Sequence, residues 1–227
     1  MSASYRRLLL VVAICAAVTG LMITGLRPSV AEEKEAEFVS LFNGKDLTGW
    51  VGDPRLWEVE DGEIAGTTSA DIKLEHNTFL ATEKEYGDFV FRAKVKLINH
   101  NSGIQFRSKQ HPDYVVRGYQ ADMAEQTYFG MLYEEGGRGI MEYFKALPEE
   151  EKKANHEAAK QGEWNQYEIT CKGDHVTIVL NGRTTCDIVD PEGAKKGVFA
   201  FQLHAGPPME VRFKDIEVKA LDTKPMR

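Results

Sequence analysis

DFVFRAKVKLI, residues 88–98, decides the fold. Phe89, Phe91, Ala93, Val95 and Leu97 alternate with Arg92, Lys94 and Lys96. Side chains on an extended chain point to opposite faces in turn, so this period of two gives one apolar and one charged face. The stretch therefore predicts a strand with one side on a core and the other in water.

The same period recurs outward from it. LWEVE, EIAGT, TFLAT, SGIQFRS, YVVRGYQADM, the YFGMLY region, WNQYEITCK, HVTIVLN, RTTCDI, GVFAFQLH and MEVRFKDIEVKAL all read as strands. The last changes parity, because Val211 and Phe213 are out of phase with Ile216 and Val218. An extra residue near Asp215, a β-bulge, restores both to the core face. Residues 147–162 differ: Pro148 stands near the start, acids fill the first turn, and Gly162 follows Lys160. These are helix boundary signals, and the weak apolar face predicts a surface helix with His156 in solvent. Many short strands, one helix and no internal repeat predict an all-β, two-sheet antiparallel jelly-roll sandwich with one short surface helix.

Arg6 and Arg7 precede an almost wholly apolar run over 8–26, and Ser29-Val30-Ala31 offers small residues for cleavage. The pattern predicts a signal peptide over 1–31, a flexible segment over 32–37, one domain over 38–221 and a tail over 222–227. The alternative is a retained anchor. Cleavage implies export to the periplasm or the outside, with no stable membrane anchor left. It also removes three arginines and no acid, taking the net charge from −7 to −10. That balance argues against nucleic acid or an anionic membrane as partner.

Cys171 and Cys186 remain after cleavage. The segments around them read as outer strands of a three-strand meander turning at Gly173-Asp174 and Asn181-Gly182. Cys171 then stands near Val176 and Cys186 near Thr177, on opposite faces. A disulfide needs α-carbons within about 7 Å, so none is expected.

Three strands carry an unusual polar face. Gln105 and Arg107 alternate with Ile104 and Phe106; Gln120 and Asp122 share a face; Gln202 and His204 alternate with Phe201 and Leu203. A plain solvated face favours Lys, Glu and Thr. This one carries planar groups that both donate and accept hydrogen bonds, which suits sugar hydroxyls. Residues 127–143 add Tyr133, Glu134 and Arg138 among several glycines, either as a simple glycine hairpin or as a rim loop beside the polar face. HExxH, zinc-type cysteine spacing, GxSxG and the EF-hand loop are all missing from the sequence.

FVSLFNGKDLTGW, NSGIQFRS, GYQAD, GEWNQYEI, VLNG and FQLHAGPPMEVRFKDIEVK, in this order, resemble the 3-keto-disaccharide hydrolase family. The resemblance spans about residues 38–221. It departs at GYQADMAEQTYFGMLYEEGGRGI, where many members carry a longer acidic or amide-rich segment. The resemblance implies a secreted concanavalin-like or laminin-G-like jelly roll that cleaves 3-keto-glycosides. It also implies a glycoside or oligosaccharide substrate, oxidised upstream by a sugar 3-dehydrogenase. The reaction needs a base at C2, an acid at the leaving oxygen and donors or a cation at the enolate oxygen. The residues offered are His204 or Asp122 as base and Glu134 as acid or metal ligand, with Arg107 at the enolate. Gln105, Gln120 and Gln202 would orient the sugar, Tyr133 would stack on it and Arg138 would add a contact. A divalent metal ion in place of Arg107, or assisting it, is a further expectation. The competing expectation is a lectin-like carbohydrate-binding module without chemistry.

Overall fold

The computed structural model describes residues 37–72, 74–124 and 128–221. The expected signal peptide, most of the segment after it and the tail lie outside the described residues.

Residues 88–98 form strand β6 (Phe89–Leu97), and burial alternates along its whole length. β6 is central in the first sheet. On one side follow β11 (Asn165–Lys172), β12 (His175–Leu180) and β13 (Arg183–Val189). On the other stand β15 (Glu210–Ala220), β4 (Glu63–Thr67) and β3 (Trp57–Glu60), and β1 (Val39–Ser40) also pairs with β15. The second sheet runs β10 (Gly139–Ile140), β9 (Leu132–Glu135), β8 (Val116–Ala124), β7 (Asn101–Gln110), β14 (Val198–Leu203), β5 (Thr78–Thr82) and β2 (Trp50–Val51). Neighbours such as β7 and β14, or β6 and β15, lie far apart in sequence and pair antiparallel, as the expected two-sheet sandwich requires.

Aromatic rings join the sheets. Phe91 of the first stacks on Phe199 of the second with centroids 4.5 Å apart, and Phe213 stacks on Phe201 at 3.8 Å. Offset ring pairs add about 0.5–1.5 kcal/mol beyond the area they bury. The expected bulge in β15 is present: the register with β6 shifts between Lys214 and Glu217, and Asp215 has φ 50°. Asn181 and Gly182 both have positive φ, as the tight turn of the β12–β13 hairpin demands.

Three expectations are corrected, on the cysteines, the helices and His156. Cys186 pairs with Ile178, not Thr177, because Thr185 is bulged out of register. Cys171 pairs with Val176 as expected, and both cysteines face the core as free thiols, separated by β12. The expected helix within 147–162 is present as α2 (Glu149–Glu157), but an unexpected one, α1 (Glu142–Ala146), precedes it, divided from it by extended backbone at Leu147 and Pro148. Proline has no amide hydrogen, so Pro148 starts the second helix at no hydrogen-bonding cost. His156 is half-buried, not fully in solvent: its Nδ1 is buried, and its ring lies 6.2 Å from that of Phe129.

Candidate functional site

Strands β8, β7 and β14 are consecutive in the second sheet, so their polar faces merge. The registers place Tyr133, Gln120, Gln105 and Ala200 in one row across four strands. In the adjacent row Asp122 stands opposite Gly103. Gly103 has no side chain, and the Gln120 carboxamide lies in the space this leaves.

A directed hydrogen-bond chain results. Ser108 Oγ donates to Gln105 Oε1 at 2.6 Å, and Gln105 Nε2 donates to Gln120 Oε1 at 2.9 Å. Gln120 Nε2 in turn donates to Asp122 Oδ1 at 2.8 Å and to Gln202 Oε1 at 3.4 Å. Gln202 Nε2 reaches Glu135 Oε2 at 3.4 Å, and Asn77 Nδ2 donates to Glu135 Oε1 at 3.2 Å. Buried amides are stable only when their donors and acceptors are matched, and here each amide orients the next. The chain delivers N–H groups to two carboxylates.

Those carboxylates line a cavity of about 190 Å³ with Asn77, Asn101, Gln120, Tyr133, Gln202 and His204. Burial pushes the Asp122 carboxyl up to about 7, against the opposing hydrogen bond from Gln120. Nearby Glu135 adds a smaller upward push. A carboxyl poised near neutrality is suited to taking and returning a proton. His204 Nδ1 lies 2.7 Å from the carbonyl oxygen of Ala205, which only an Nδ1–H satisfies. Its ring packs edge-on against His100, with centroids 5.0 Å apart.

Of the residues singled out from sequence, Asp122, His204, Gln120, Gln202 and Tyr133 line this cavity. Gln105 lies behind it, holding Gln120 in place. Three others are elsewhere. Arg107 is not at the cavity: it has φ 47° and lies in a break of register between Phe106 and Lys109. The bulge reverses the parity that placed it beside Gln105. Its guanidinium is buried against Asp88 at 2.7 Å and donates to the carbonyls of Gly87 and Gly173. Glu134 points to the opposite face of β9, where it pairs with Arg138. Arg138 also binds Asp190 at 2.6 Å, and that guanidinium holds the Asp190 carboxyl down at about 2. Arg107, Glu134 and Arg138 therefore tie loops together, and none of them reaches the polar cavity.

Sequence reasoning gave no site role to Glu135, Asn101 or Asn77, which also line the cavity. The first two were within reach of strand parity, since Glu135 shares a face with Tyr133 and Asn101 with Gln105. Asn77 just precedes β5 and carried no such signal. Among the described residues, no group of three or more His, Cys, Asp and Glu side chains could hold a metal ion.

The family model for the 3-keto-alpha-glucoside-1,2-lyase-like domain matches residues 37–219. A protein from Parabacteroides distasonis, described as a candidate glycosyl hydrolase, is 24% identical over 82% of this chain and 94% of its own, with a TM-score of 0.57. The carbohydrate-binding module CBM66 from Bacillus subtilis is 16% identical over 76% of this chain and 96% of its own, with a TM-score of 0.55. A Bacillus licheniformis beta-glucanase shares the fold at 10% identity, over 84% of this chain and 100% of its own, with a TM-score of 0.51. None of the curated proteins matches the chain. The match over most of its length means that this chain belongs to the 3-keto-alpha-glucoside-1,2-lyase-like family of carbohydrate-related domains.

Proposed function

We propose that this family member is an exported enzyme that cleaves 3-keto-glycosides by elimination. The observation that carries the reading is Asp122: a buried carboxyl held near neutrality at the wall of a polar, sugar-sized cavity.

A carbonyl at C3 acidifies the C2 proton. Asp122, ionised, takes that proton, and the C–H electrons pass into the C3 carbonyl as an enolate. The enolate re-forms the carbonyl and expels the C1 oxygen. The C1–O bond breaks, a C1–C2 double bond forms, and the departing oxygen collects a proton. His204 is the candidate donor: its Nδ1–H is held on the Ala205 carbonyl, which leaves Nε2 to carry the proton for the leaving group. Carboxamides of Asn101 and Gln202 supply donors for the enolate oxygen. Glu135 and Asn77 accept and donate to ring hydroxyls, and Tyr133 offers an aromatic face. Water adding across the double bond would complete a net hydrolysis.

The substrate must be oxidised at C3 first, so a sugar 3-dehydrogenase acts upstream. The described residues hold no clustered metal ligands, and no step above passes through a metal.

The test is incubation of the purified mature protein with a 3-keto-glucoside, with and without EDTA, following released alcohol and unsaturated sugar by mass spectrometry. Release that survives EDTA supports side-chain chemistry. Release abolished by EDTA reassigns part of the reaction to a divalent metal. Binding without release makes the domain a carbohydrate-binding module.

A further inference from the structure

A second groove opens beside the polar cavity. Its volume is about 560 Å³, and Ile140 lines both spaces. Ile140 lies on β10, the edge strand of the second sheet. The polar cavity and the groove thus share the Ile140 side chain at this edge.

The two spaces differ in chemistry. The polar cavity is walled by amides and carboxylates. The groove is walled by Ile140, Met141, Tyr143, Ile188 and Val189. Val189 is 71% exposed, one of few large apolar side chains so placed among the described residues. Exposed apolar groups that border a concave surface mark places where apolar matter binds. The Tyr143 hydroxyl oxygen accepts from the Leu132 amide at 2.6 Å, which anchors the ring in the wall.

The charges at the groove narrow the occupant further. Arg138 is its one cation among the lining residues, and it is bound by both Glu134 and Asp190. Glu142, the other carboxylate on the wall, pairs with Lys145 at 2.6 Å. Each ionic side chain of the wall already has a partner, so the groove offers no unpaired charge to an anion or a cation and suits a neutral group.

We propose that this groove is the aglycone subsite, and that it takes a neutral apolar aglycone while the sugar occupies the polar cavity. The assignment rests on the proposed sugar site. Ile140 is then the hinge point of substrate recognition, with hydrogen bonding on one side and apolar burial on the other.

The test compares benzyl and methyl 3-keto-glucosides, whose leaving alcohols differ little in acidity, on the wild-type protein and on Val189→Asp. Val189 is exposed and outside the polar cavity, so the variant should keep the wild-type melting temperature. Discrimination by apolar contact is worth about 10–200-fold for a methylene-sized group in a formed pocket. An open groove should give a benzyl preference in kcat/KM of about tenfold, reduced to about threefold or less by Val189→Asp, with methyl turnover unchanged. An equal benzyl-to-methyl ratio in both proteins overturns the subsite. If neither glycoside is turned over, the elimination fails as a reaction and calorimetry decides the groove. Tighter benzyl than methyl binding, weakened by Val189→Asp, sustains it, and equal binding of both overturns it.

Discussion

Gly103 on β7 stands directly opposite Asp122 on β8, and the Gln120 side chain lies across that glycine. A β-carbon at 103 would overlap Cγ and Cδ of Gln120. The missing side chain is what lets Gln120 hold Asp122 at 2.8 Å while accepting from Gln105. Gly103→Ala should therefore displace Gln120. A hydrogen bond to a charged group is worth about 1.5–3 kcal/mol, so turnover of a 3-keto-glucoside should fall about 10–100-fold. Steady-state kinetics checks this, and turnover within about twofold of wild type would show that Gln120 does not position Asp122.

Asp122→Asn removes the proposed base and keeps its size. General bases typically contribute 10²–10⁴-fold, and a loss of about that size in kcat is expected. The wild-type pH profile carries the same information. Burial raises the Asp122 carboxyl to about 7, and only its ionised form takes a proton. The rate should rise with pH through about 7, and the rising limb should vanish in Asp122→Asn. A limb that persists in the variant would transfer the base role to His204.

The same carboxyl predicts a stability effect of opposite sense. Its value rises from 3.8 in the unfolded chain to about 7 in the fold, chiefly through burial. The folded state thus binds more protons between these values. The carboxyl's contribution is fully present below about 4 and is lost as pH rises through about 7. Asp122→Asn, which cannot ionise, should gain stability over wild type between pH 5 and 8, by at most on the order of 4 kcal/mol. Denaturant melts at the two pH values measure it, and an equal difference at both would contradict the burial of this group.

Arg107→Ala separates architecture from chemistry. Arg107 is buried in an ion pair with Asp88, which also accepts from the Gly173 amide. Removing one partner of such a pair leaves a buried charge and typically costs about 3–5 kcal/mol. Thermal unfolding should show a large drop in stability. The protein that remains folded should keep turnover per folded molecule within about threefold. A full loss of turnover in a stable variant would put Arg107 back into the chemistry.

Local pattern carried the strands because burial alternates wherever one face of a sheet meets a core. β6, β11 and β12 follow it along their whole lengths. The parity change in β15 even located its bulge. The same reasoning brought Gln120, Asp122, Gln202 and His204 to one cavity. It failed at Arg107 and at Cys186, each beside a bulge that shifts the register. It failed at Glu134 for a different reason: Tyr133 and Glu134 were both assigned to the site, although neighbours on a strand face opposite ways and only Glu135 shares the face of Tyr133.

By itself, then, the sequence determined that this chain folds as strands, which of their faces are apolar, and which polar residues share a face. Each follows from the two-residue repeat of an extended chain. Only the tertiary structure decided which strands are neighbours and where the register slips, because both depend on pairings between segments far apart in the chain. Those pairings bring Glu135 and Asn77 to Asp122's cavity, send Arg107 to Asp88, and leave at Gly103 the space that Gln120 fills.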